Sequence, residues 1–464
     1  MGEQRLNLPA DFEFGVATAS YQIEGAVHED GRGPSIWDTF SHTPGKVVHG
    51  DTGDVACDHY HRYAEDVALM ADLGVDSYRL SLAWPRIQPD GKGPAEPRGL
   101  AFYDRVVDAL LEHGIQPAVT LYHWDLPQPL EDAGGWRVRD TAERFADYVE
   151  IAQEALGDRV TRWITINEPF CSSILGYATG RHAPGAREGD GALAAAHHLL
   201  LGHGLAVQRI RAAAAHRAQV GATLNLQPVS AVSDREQDRA AADRALLLSN
   251  LLFTDPVLAG RYPQLARSTY AALTDFGWLR DGDLEITGLP LDFLGVNYYF
   301  PSRVRAAPYQ VEDPASRTAD DLGYEDVVDS DEERTAMGWP VDADGLRRLL
   351  RWLHDSYPQL PPVYITENGR ACDDVVAANG HVHDPDRMRY LENHLRAVAD
   401  ATAEGVDVRG YYCWSLLDNF EWAEGYAKRF GIVYVDYETQ QRIPKSSFEW
   451  YQRVIRDHRR AAAS

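Results

Sequence analysis

Cysteine is scarce in this chain, which has 464 residues and only four cysteines. Cys57, Cys171, Cys372 and Cys413 stand far apart, so their spacing fits neither a CxxC zinc motif nor a dense disulfide framework. We interpret them as four small buried thiols in a reducing environment. The opening residues, MGEQRLNLPADFEFG, lack the basic and then apolar layout of a signal peptide. The sequence therefore predicts a cytoplasmic protein.

The chain also lacks long apolar runs and an excess of positive charge. No run approaches the roughly 18–20 apolar residues that span a bilayer. Its 45 basic residues against 70 acidic ones give a formal net charge of -25. A field of that sign repels phosphate backbones and anionic lipids, so we predict no nucleic-acid partner and no membrane partner.

Ligand sets for a metal ion are missing as well. Close histidine pairs occur three times, but none has a carboxylate or cysteine set at useful spacing. We therefore predict no metal site. The three pairs are His59/His61, His197/His198 and His381/His383.

Short β-branched and aromatic runs, each followed by helical material, are abundant. Eight such alternations imply a parallel sheet closed into a single (β/α)8 barrel of the α/β class, spanning residues 1–464 as one catalytic domain. The predicted strands lie within residues 12–22, 75–84, 115–124, 159–169, 219–226, 291–299, 362–369 and 406–420. Helical spacing is predicted from Tyr60 to Met70, around Phe102, around Phe145, from His197 to Ala214, from Leu246 to Leu252, from Leu349 to Leu353 and from Tyr390 to Ala401. The surplus length is assigned to long loops at Trp37–Asp58, Gln227–Asp243 and Phe300–Val341.

Polar and aromatic residues follow the predicted strands at the point where each strand ends. Active sites of such barrels form at the carboxyl ends of the strands, so these residues are expected to meet in one pocket. They are Gln22, Trp84, His123, Trp124, Asn167, Glu168, Asn225, Asn297, Tyr299, Glu367, Asn368, Trp414 and Ser415.

Two glutamates among them follow runs that should be buried, WITIN before Glu168 and VYIT before Glu367. A carboxylate at the edge of a core costs free energy unless it is paired or hydrogen-bonded. A single glutamate of this kind could cap a loop or pair with an arginine. Two of them, each beside an asparagine and three barrel units apart, favour the paired carboxylates that hydrolyse a glycosidic bond.

Aromatic residues are plentiful, with 11 tryptophans and 23 tyrosines. Sugar rings have apolar C–H faces and hydroxyl edges, so aromatic platforms flanked by polar side chains suit them. Core packing would account for any one tryptophan. The cluster of Trp414, Glu421 and Trp422 in WSLLDNFEW is harder to explain by packing alone.

These motifs resemble glycoside hydrolase family 1, the β-glucosidase family, along essentially the whole chain. FEFGVATASYQIEG resembles its N-terminal signature, TINEP its acid/base motif and YITENG its nucleophile motif. SYRLSLAWPRI, YHWDLP, GVNYY, MGW and WSLLDNFEWAEGYAKRFGIVYVD follow in the family's order. Several independent motifs in the right order make the resemblance specific.

The resemblance implies a role for each matching residue. Glu168 would be the general acid/base and Glu367 the nucleophile, with Arg79 and Tyr299 holding Glu367 ionised and oriented. Phe170, Leu175 and Trp339 would flank the entrance where the leaving group sits. The sugar at the cleaved end would be bound by Gln22, His123, Trp124, Asn167, Asn297, Tyr299, Trp414, Glu421, Trp422 and Phe430.

The predicted reaction is hydrolysis of terminal β-D-glucosyl residues, with galactosyl and fucosyl residues as further candidates, from β-glucosides and short oligosaccharides such as cellobiose. The partner is therefore a small glycoside; the oligomeric state is left open. The resemblance implies no cofactor. Retention of configuration would require carboxyl groups about 5–5.5 Å apart. The pKa of Glu168 is expected to be raised mainly by the negative charge of Glu367.

A 6-phospho-β-glycosidase is the main competing assignment. An ionised Glu421 would repel a phosphate dianion in a site of reduced dielectric. Lys428 and Arg429 could supply positive charge, but Phe430 is expected to point at the sugar and its neighbours away from it.

A glycan-binding module, a barrel isomerase and a thioglucosidase fit the sequence less well. Inactive glycan-binding relatives typically lose one carboxylate, and both are present here. A barrel isomerase would leave the sugar-binding residues unexplained. Thioglucosidases replace the acid/base glutamate with glutamine, whereas residue 168 is glutamate.

Overall fold

A computed structural model of the protein describes residues 6–213, 218–327 and 331–463. Eight parallel strands form a closed barrel in which each strand pairs with its neighbours in sequence and the first pairs with the last. Strand β1 closes the ring, because Gly15–Ala17 pair with Ser77–Arg79 and Glu13–Ala17 pair with Gly410–Trp414. All eight strand predictions are confirmed. The strands are β1 Glu13–Ala17, β2 Ser77–Ser81, β3 Gln116–Thr120, β4 Arg162–Asn167, β5 Gln219–Asn225, β6 Phe293–Asn297, β7 Val363–Asn368 and β8 Val408–Trp414.

Long helices follow the strands around the outside of the barrel. The predicted helix from His197 to Ala214 begins earlier, at Asp190, and Ala214 lies outside the described residues. The predicted segment Leu246–Leu252 contains a π-helical turn, Leu247–Leu251, that joins two α-helices. The helices are α1 His59–Leu73, α2 Pro97–Glu112, α3 Arg139–Leu156, α4 Asp190–Ala213, α5 Glu236–Leu246, α6 Leu252–Ala259, α7 Ala343–Ser356, α8 Pro385–Ala403 and α9 Ser446–Ala462.

The core has two layers, because successive side chains of a strand point to opposite faces. One layer fills the barrel with residues such as Ala118, Ile164 and Phe293. The other, larger layer packs the outer faces of the strands against the helices. Gly15 of β1 shows how tightly the interior is filled, since a Cβ there would lie 2.4 Å from the ring of Tyr412.

The predicted loops contain more regular structure than expected. A three-stranded sheet of Val229–Ala231, Ser302–Ala306 and Tyr324–Asp326 lies outside the barrel, and α5 begins inside the predicted loop Gln227–Asp243. Two of these strands have only three residues, too few for a local pattern to reveal. The predicted loop Trp37–Asp58 starts within a helix, Ile36–Ser41, which Ser35 and Asp38 cap. Further short elements are Ser20–Ile23, Trp84–Ile87, Gln128–Asp132, Gln264–Tyr270, Asp283–Thr287, Val433–Val435 and Arg442–Pro444.

All four cysteines are free thiols. Cys57, Cys171 and Cys413 are buried as expected, but Cys372 is only partly buried, because it lies in the loop after β7. Within the described ranges, no helix combines the length and apolar character needed to cross a membrane.

Candidate active site

A cavity of about 230 Å³ opens at the carboxyl ends of the barrel strands. The pairing of the barrel strands is interrupted at two places, one beside each glutamate of the cavity. The pairing of β4 with β5 shifts between Ile164 and Asn167, and that of β7 with β6 shifts between Ile365 and Glu367. Such irregularities re-aim the side chains that follow them. Thirteen residues predicted to meet at the site line this cavity: His123, Trp124, Glu168, Phe170, Leu175, Asn225, Tyr299, Trp339, Glu367, Trp414, Glu421, Trp422 and Phe430.

Glu367, near the end of β7, is buried and receives two strong hydrogen bonds. Arg79 of β2 donates from Nη1 to Oε1 at 2.5 Å, and the Tyr299 hydroxyl donates to Oε2 at 2.7 Å. Burial and the charge of Glu367 hold the pKa of Tyr299 well above its ordinary value, so this hydroxyl stays a donor. A cation on one oxygen and a hydroxyl on the other stabilise the ionised carboxylate.

Glu168, directly after β4, has a different environment. Its φ of 47° turns the chain out of the strand, and its N–H donates to the Thr223 carbonyl at 2.9 Å. The carboxyl accepts from Asn297 Nδ2 on Oε1 at 2.6 Å and from Cys171 Sγ on Oε2 at 3.1 Å. Neither donor carries a charge, so neither stabilises the ionised form of Glu168 as a cation would.

Burial raises the pKa of Glu168 to about 8, and the negative charge of Glu367 is the second cause. The sequence-based expectation reversed this order. It was wrong because the end of β4 leaves the carboxyl only 5% exposed, so loss of hydration outweighs repulsion by one neighbour. This shift favours the protonated form of Glu168, the form that a general acid needs.

Arg79, Asn167 and Asn297 connect the two glutamates from behind the cavity. Arg79 Nη2 donates to Asn167 Oδ1 at 2.5 Å, and Asn297 Nδ2 donates to the same oxygen at 3.1 Å. These two bonds fix the orientation of the Asn167 amide. Its Nδ2 then donates to His123 Nε2 at 3.1 Å.

Three predicted sugar-binding residues each have a buried polar atom without a hydrogen-bond partner among the described residues. They are Gln22 Oε1, His123 Nδ1 and Glu421 Oε2. Gln22 uses its amide nitrogen on Asn419 Oδ1 and the Phe420 carbonyl, at 3.0 and 2.8 Å, so its oxygen stays available. Burial lowers the pKa of His123 well below its usual value, which keeps the ring neutral. A buried polar atom without a hydrogen-bond partner costs free energy of folding, and a bound ligand can supply the missing hydrogen bond.

Glu421 was expected to be ionised. Burial, and then the charges of Glu367 and Glu168, raise its pKa to about 8. This shift weakens the like-charge argument against a phosphorylated sugar in the ligand-free pocket. The two nearby cations are engaged elsewhere: Lys428 donates to the Ala336 carbonyl at 2.6 Å, and Arg429 donates to Asp418 at 2.7 Å.

Aromatic rings form the walls of the cavity. Trp422 packs against Trp124 with ring centroids 4.4 Å apart, and Trp414 lies parallel to the His123 ring at 6.1 Å. On the opposite side Trp339 lies 5.9 Å from Phe430 and 5.4 Å from Tyr299.

Three strand-end residues do not join the site. Trp84 begins a short helix and stacks on Tyr148 of α3 at 5.0 Å, so it belongs to the outer core. Asn368 donates to the Tyr298 carbonyl at 2.6 Å, and Ser415 donates to the Leu417 carbonyl at 2.6 Å, so both support loops.

Sequence reasoning also missed residues that line the cavity. Arg181 and Glu424 form an ion pair at 3.3 Å, and Cys171 contacts Glu168. The only sequence signal for Cys171 was its position three residues after Glu168. Within residues 6–213, 218–327 and 331–463, no cluster of three or more His, Cys, Asp or Glu side chains is placed to hold a metal ion.

A closed (β/α)8 barrel with two buried carboxyls in one aromatic pocket is the arrangement of a barrel glycoside hydrolase. The comparison with known families agrees. The family model for glycosyl hydrolase family 1 matches residues 4–460, and the chain belongs to that family. The family prediction and the enzyme class, a glycoside hydrolase, are both confirmed.

Relatives and solved structures match nearly the full chain. A thermostable β-glucosidase B from Thermobispora bispora is 54% identical over 97% of this chain and 91% of its own. A bifunctional β-D-glucosidase/β-D-fucosidase from Bifidobacterium breve is 49% identical over 97% and 98%. The crystal structure of a psychrophilic β-glucosidase from Micrococcus antarcticus superposes with a TM-score of 0.93 at 47% identity, covering 98% of this chain and 100% of that one.

Proposed function

We propose that this family 1 enzyme is a retaining β-glycosidase that releases terminal β-D-glucosyl residues by double displacement, with Glu367 as nucleophile and Glu168 as acid/base. The observation that carries the assignment is the contrast between the two carboxyls of one pocket. Glu367 is bound by a cation and a hydroxyl, whereas Glu168 is buried beside uncharged donors. When the environments of two carboxyls give them different pKa values, the ionised one can act as base or nucleophile and the protonated one as acid.

In the first step the ionised Glu367 attacks the anomeric carbon while Glu168 gives its proton to the glycosidic oxygen. The bond from that carbon to the oxygen breaks, the aglycone leaves as an alcohol and a glycosyl ester forms on Glu367. Arg79 and Tyr299 orient the attacking carboxylate through its two oxygens.

In the second step Glu168, now ionised, takes a proton from water, and the water oxygen attacks the same carbon. The ester bond breaks, Glu367 leaves as a carboxylate and Glu168 is protonated again. Two inversions at one carbon retain the β configuration. A proton NMR time course should therefore show β-glucose as the first product, and α-glucose appearing first would refute the mechanism.

Substitution of each glutamate separates the two roles. Glu367→Gly should abolish turnover of every substrate, because no covalent intermediate can form. Glu168→Ala should spare the first step for nitrophenyl glycosides, whose leaving groups need little protonation, but not for alkyl glycosides. Equal impairment of the first step on both substrate types would contradict the assignment. Azide should restore turnover to Glu168→Ala as β-glycosyl azide, which is a positive control for an intact nucleophile.

The sugar in the pocket is proposed to be unphosphorylated. The unpartnered atoms of Gln22, His123 and Glu421 suit hydroxyl groups. Arg181 is the cation among the described residues that line the cavity, and Glu424 pairs with it. Nitrophenyl β-glucoside should be cleaved better than its 6-phosphate under identical conditions, and the reverse ranking would change the substrate class. Nitrophenyl galactoside and fucoside, assayed beside them, would rank the other sugars.

The leaving-group side is assigned to Trp339, Phe170 and Leu175, which line the cavity. A second cavity of about 230 Å³ adjoins it and shares Phe170 and Tyr299. This space supports short oligosaccharides such as cellobiose as substrates. We further propose that residues 1–464 act as one catalytic domain, in which the barrel draws strands from residue 13 to residue 414. The cytoplasmic location and the absence of a cofactor stay predictions from the sequence.

A further inference from the structure

Cys171 contacts the proposed acid/base, and the mechanism above does not use it. It begins a π-helix, Cys171–Ala178, three residues after Glu168. Its backbone N–H donates to the Glu168 carbonyl at 2.9 Å, which fixes the turn between them. Its Sγ lies 3.1 Å from Glu168 Oε2 and is the donor of that contact. The side chain is buried and lines the cavity.

The other oxygen of Glu168 is already occupied by a donor whose orientation is fixed. Thr366 Oγ1 donates to Asn297 Oδ1 at 2.7 Å, so the Asn297 amide nitrogen must face Glu168. That nitrogen donates to Oε1 at 2.6 Å. A proton held by Glu168 therefore sits on Oε2, the oxygen that faces Cys171.

We propose that Cys171 is a positioning residue for the acid/base, donating its S–H to Oε2 when Glu168 is ionised and accepting from Oε2–H when Glu168 is protonated. A thiol can do both, because sulfur is a weak acceptor as well as a weak donor. Glu168 changes protonation twice in each turnover, so a partner of fixed donor character would oppose one of the two states. The inference rests on the proposed function, which makes Glu168 the acid/base.

A weak donor suits this position better than a strong one. Strong donation to Oε2 would favour the ionised carboxylate and remove the proton needed in the first step. Burial raises the pKa of the Cys171 thiol well above its ordinary value, so the thiol itself does not lose a proton to Glu168. The charged or titratable groups that face this pair from the other elements are Glu367, Arg79, Tyr299, Glu421 and Arg181.

The alkaline limb of the pH profile of kcat/KM tests the inference with nitrophenyl β-glucoside as substrate. Cys171→Ala removes the donor, so the limb should move to higher pH by about 0.5–1 pH unit. Cys171→Ser keeps both functions with a stronger donor, so the limb should move to lower pH. Cys372→Ala and Cys372→Ser are matched controls, because that thiol lies in a loop outside the cavity.

The inference would be overturned if the alkaline limb stays at the same pH in both Cys171 variants, or if it moves in the same direction in both. If Cys171→Ala does not fold, Cys171→Ser alone tests the inference. An alkaline limb of Cys171→Ser at unchanged or higher pH would contradict the expected shift to lower pH. Glu168→Ala separates this result from the proposed function. Equal impairment of its first step on nitrophenyl and alkyl glycosides refutes the role of Glu168. A Glu168→Ala variant that spares only the nitrophenyl substrate, together with a limb that ignores both Cys171 substitutions, refutes the present inference only.

Discussion

Asp125, two residues after His123, is a buried carboxyl that forms no ion pair with the described residues. Its Oδ2 accepts from the Ser20 hydroxyl at 2.9 Å, and its Oδ1 has no hydrogen-bond partner among the described residues. Burial raises the pKa of Asp125 from an ordinary value of 3.8 to about 7. Replacing it with asparagine removes this titration while keeping the size of the side chain.

The sign of the effect follows from the raised pKa. The folded protein binds the proton more tightly than the unfolded chain does, so Asp125 costs stability as the pH rises from about 4 to about 7. A change of pKa from 3.8 to about 7 corresponds to about 4 kcal/mol across that window. Asp125→Asn should therefore become more stable relative to the parent by up to that amount between pH 4 and pH 8.

Urea unfolding at several pH values, followed by circular dichroism, measures this difference. Asp66→Asn is a control for which the opposite pH dependence is expected. Asp66 pairs with Arg442 at 2.9 Å. Although burial acts to raise the pKa of Asp66, the hydrogen bonds from His59 and Arg442 lower it overall. Its paired charge contributes stability above the unfolded pKa, so this variant should be weakest at neutral pH and recover in acid. A difference between Asp125→Asn and the parent that stays constant from pH 4 to pH 8 would refute the reasoning.

Three further predictions concern the site and the barrel. Tyr299→Phe removes one of two donors to Glu367, so kcat should fall about 10-fold to 100-fold, as steady-state kinetics on nitrophenyl glucoside would show. Glu421→Ala removes a buried partner of sugar hydroxyls and should lower kcat/KM by a factor on the order of 10⁴, whereas loss of only a few-fold would remove it from the binding set. Gly15→Ala would place a Cβ 2.4 Å from the Tyr412 ring, so it should destabilise the fold by about 1–3 kcal/mol in urea unfolding, and an unchanged midpoint would contradict this packing.

The mechanism depends on two carboxyls that differ in their neighbours more than in their burial. Glu168 and Glu367 are 5% and 3% exposed, so loss of hydration acts on both. Arg79 and Tyr299 offset that cost at Glu367, and no cation contacts Glu168 among the described residues. The contrast prepares one residue to attack and the other to give a proton.

The barrel could be predicted from the sequence because apolar residues recur about every two positions in a strand and about every 3.6 positions in a helix. Both patterns can be recognised within a short stretch of chain. The eight strands lie within runs of apolar residues, and α1, His59–Leu73, contains the helical segment predicted from Tyr60 to Met70. The sheet of Val229–Ala231, Ser302–Ala306 and Tyr324–Asp326 was missed, because its strands meet only across long stretches of chain. Trp84 was assigned to the site because it follows a strand, yet the helix it begins turns it into the outer core.

The sequence by itself predicted the closed barrel and the family and singled out the two glutamates, since each rests on residue types at positions that can be read along the chain. It could not determine which force raises the pKa of Glu168, that burial raises the pKa of Glu421, or that Cys171 contacts Glu168. These properties depend on burial and on distances between residues from different strands, such as Arg79 from Glu367. Hydration and electrostatic interaction change steeply over a few ångströms, and only the tertiary structure sets those separations.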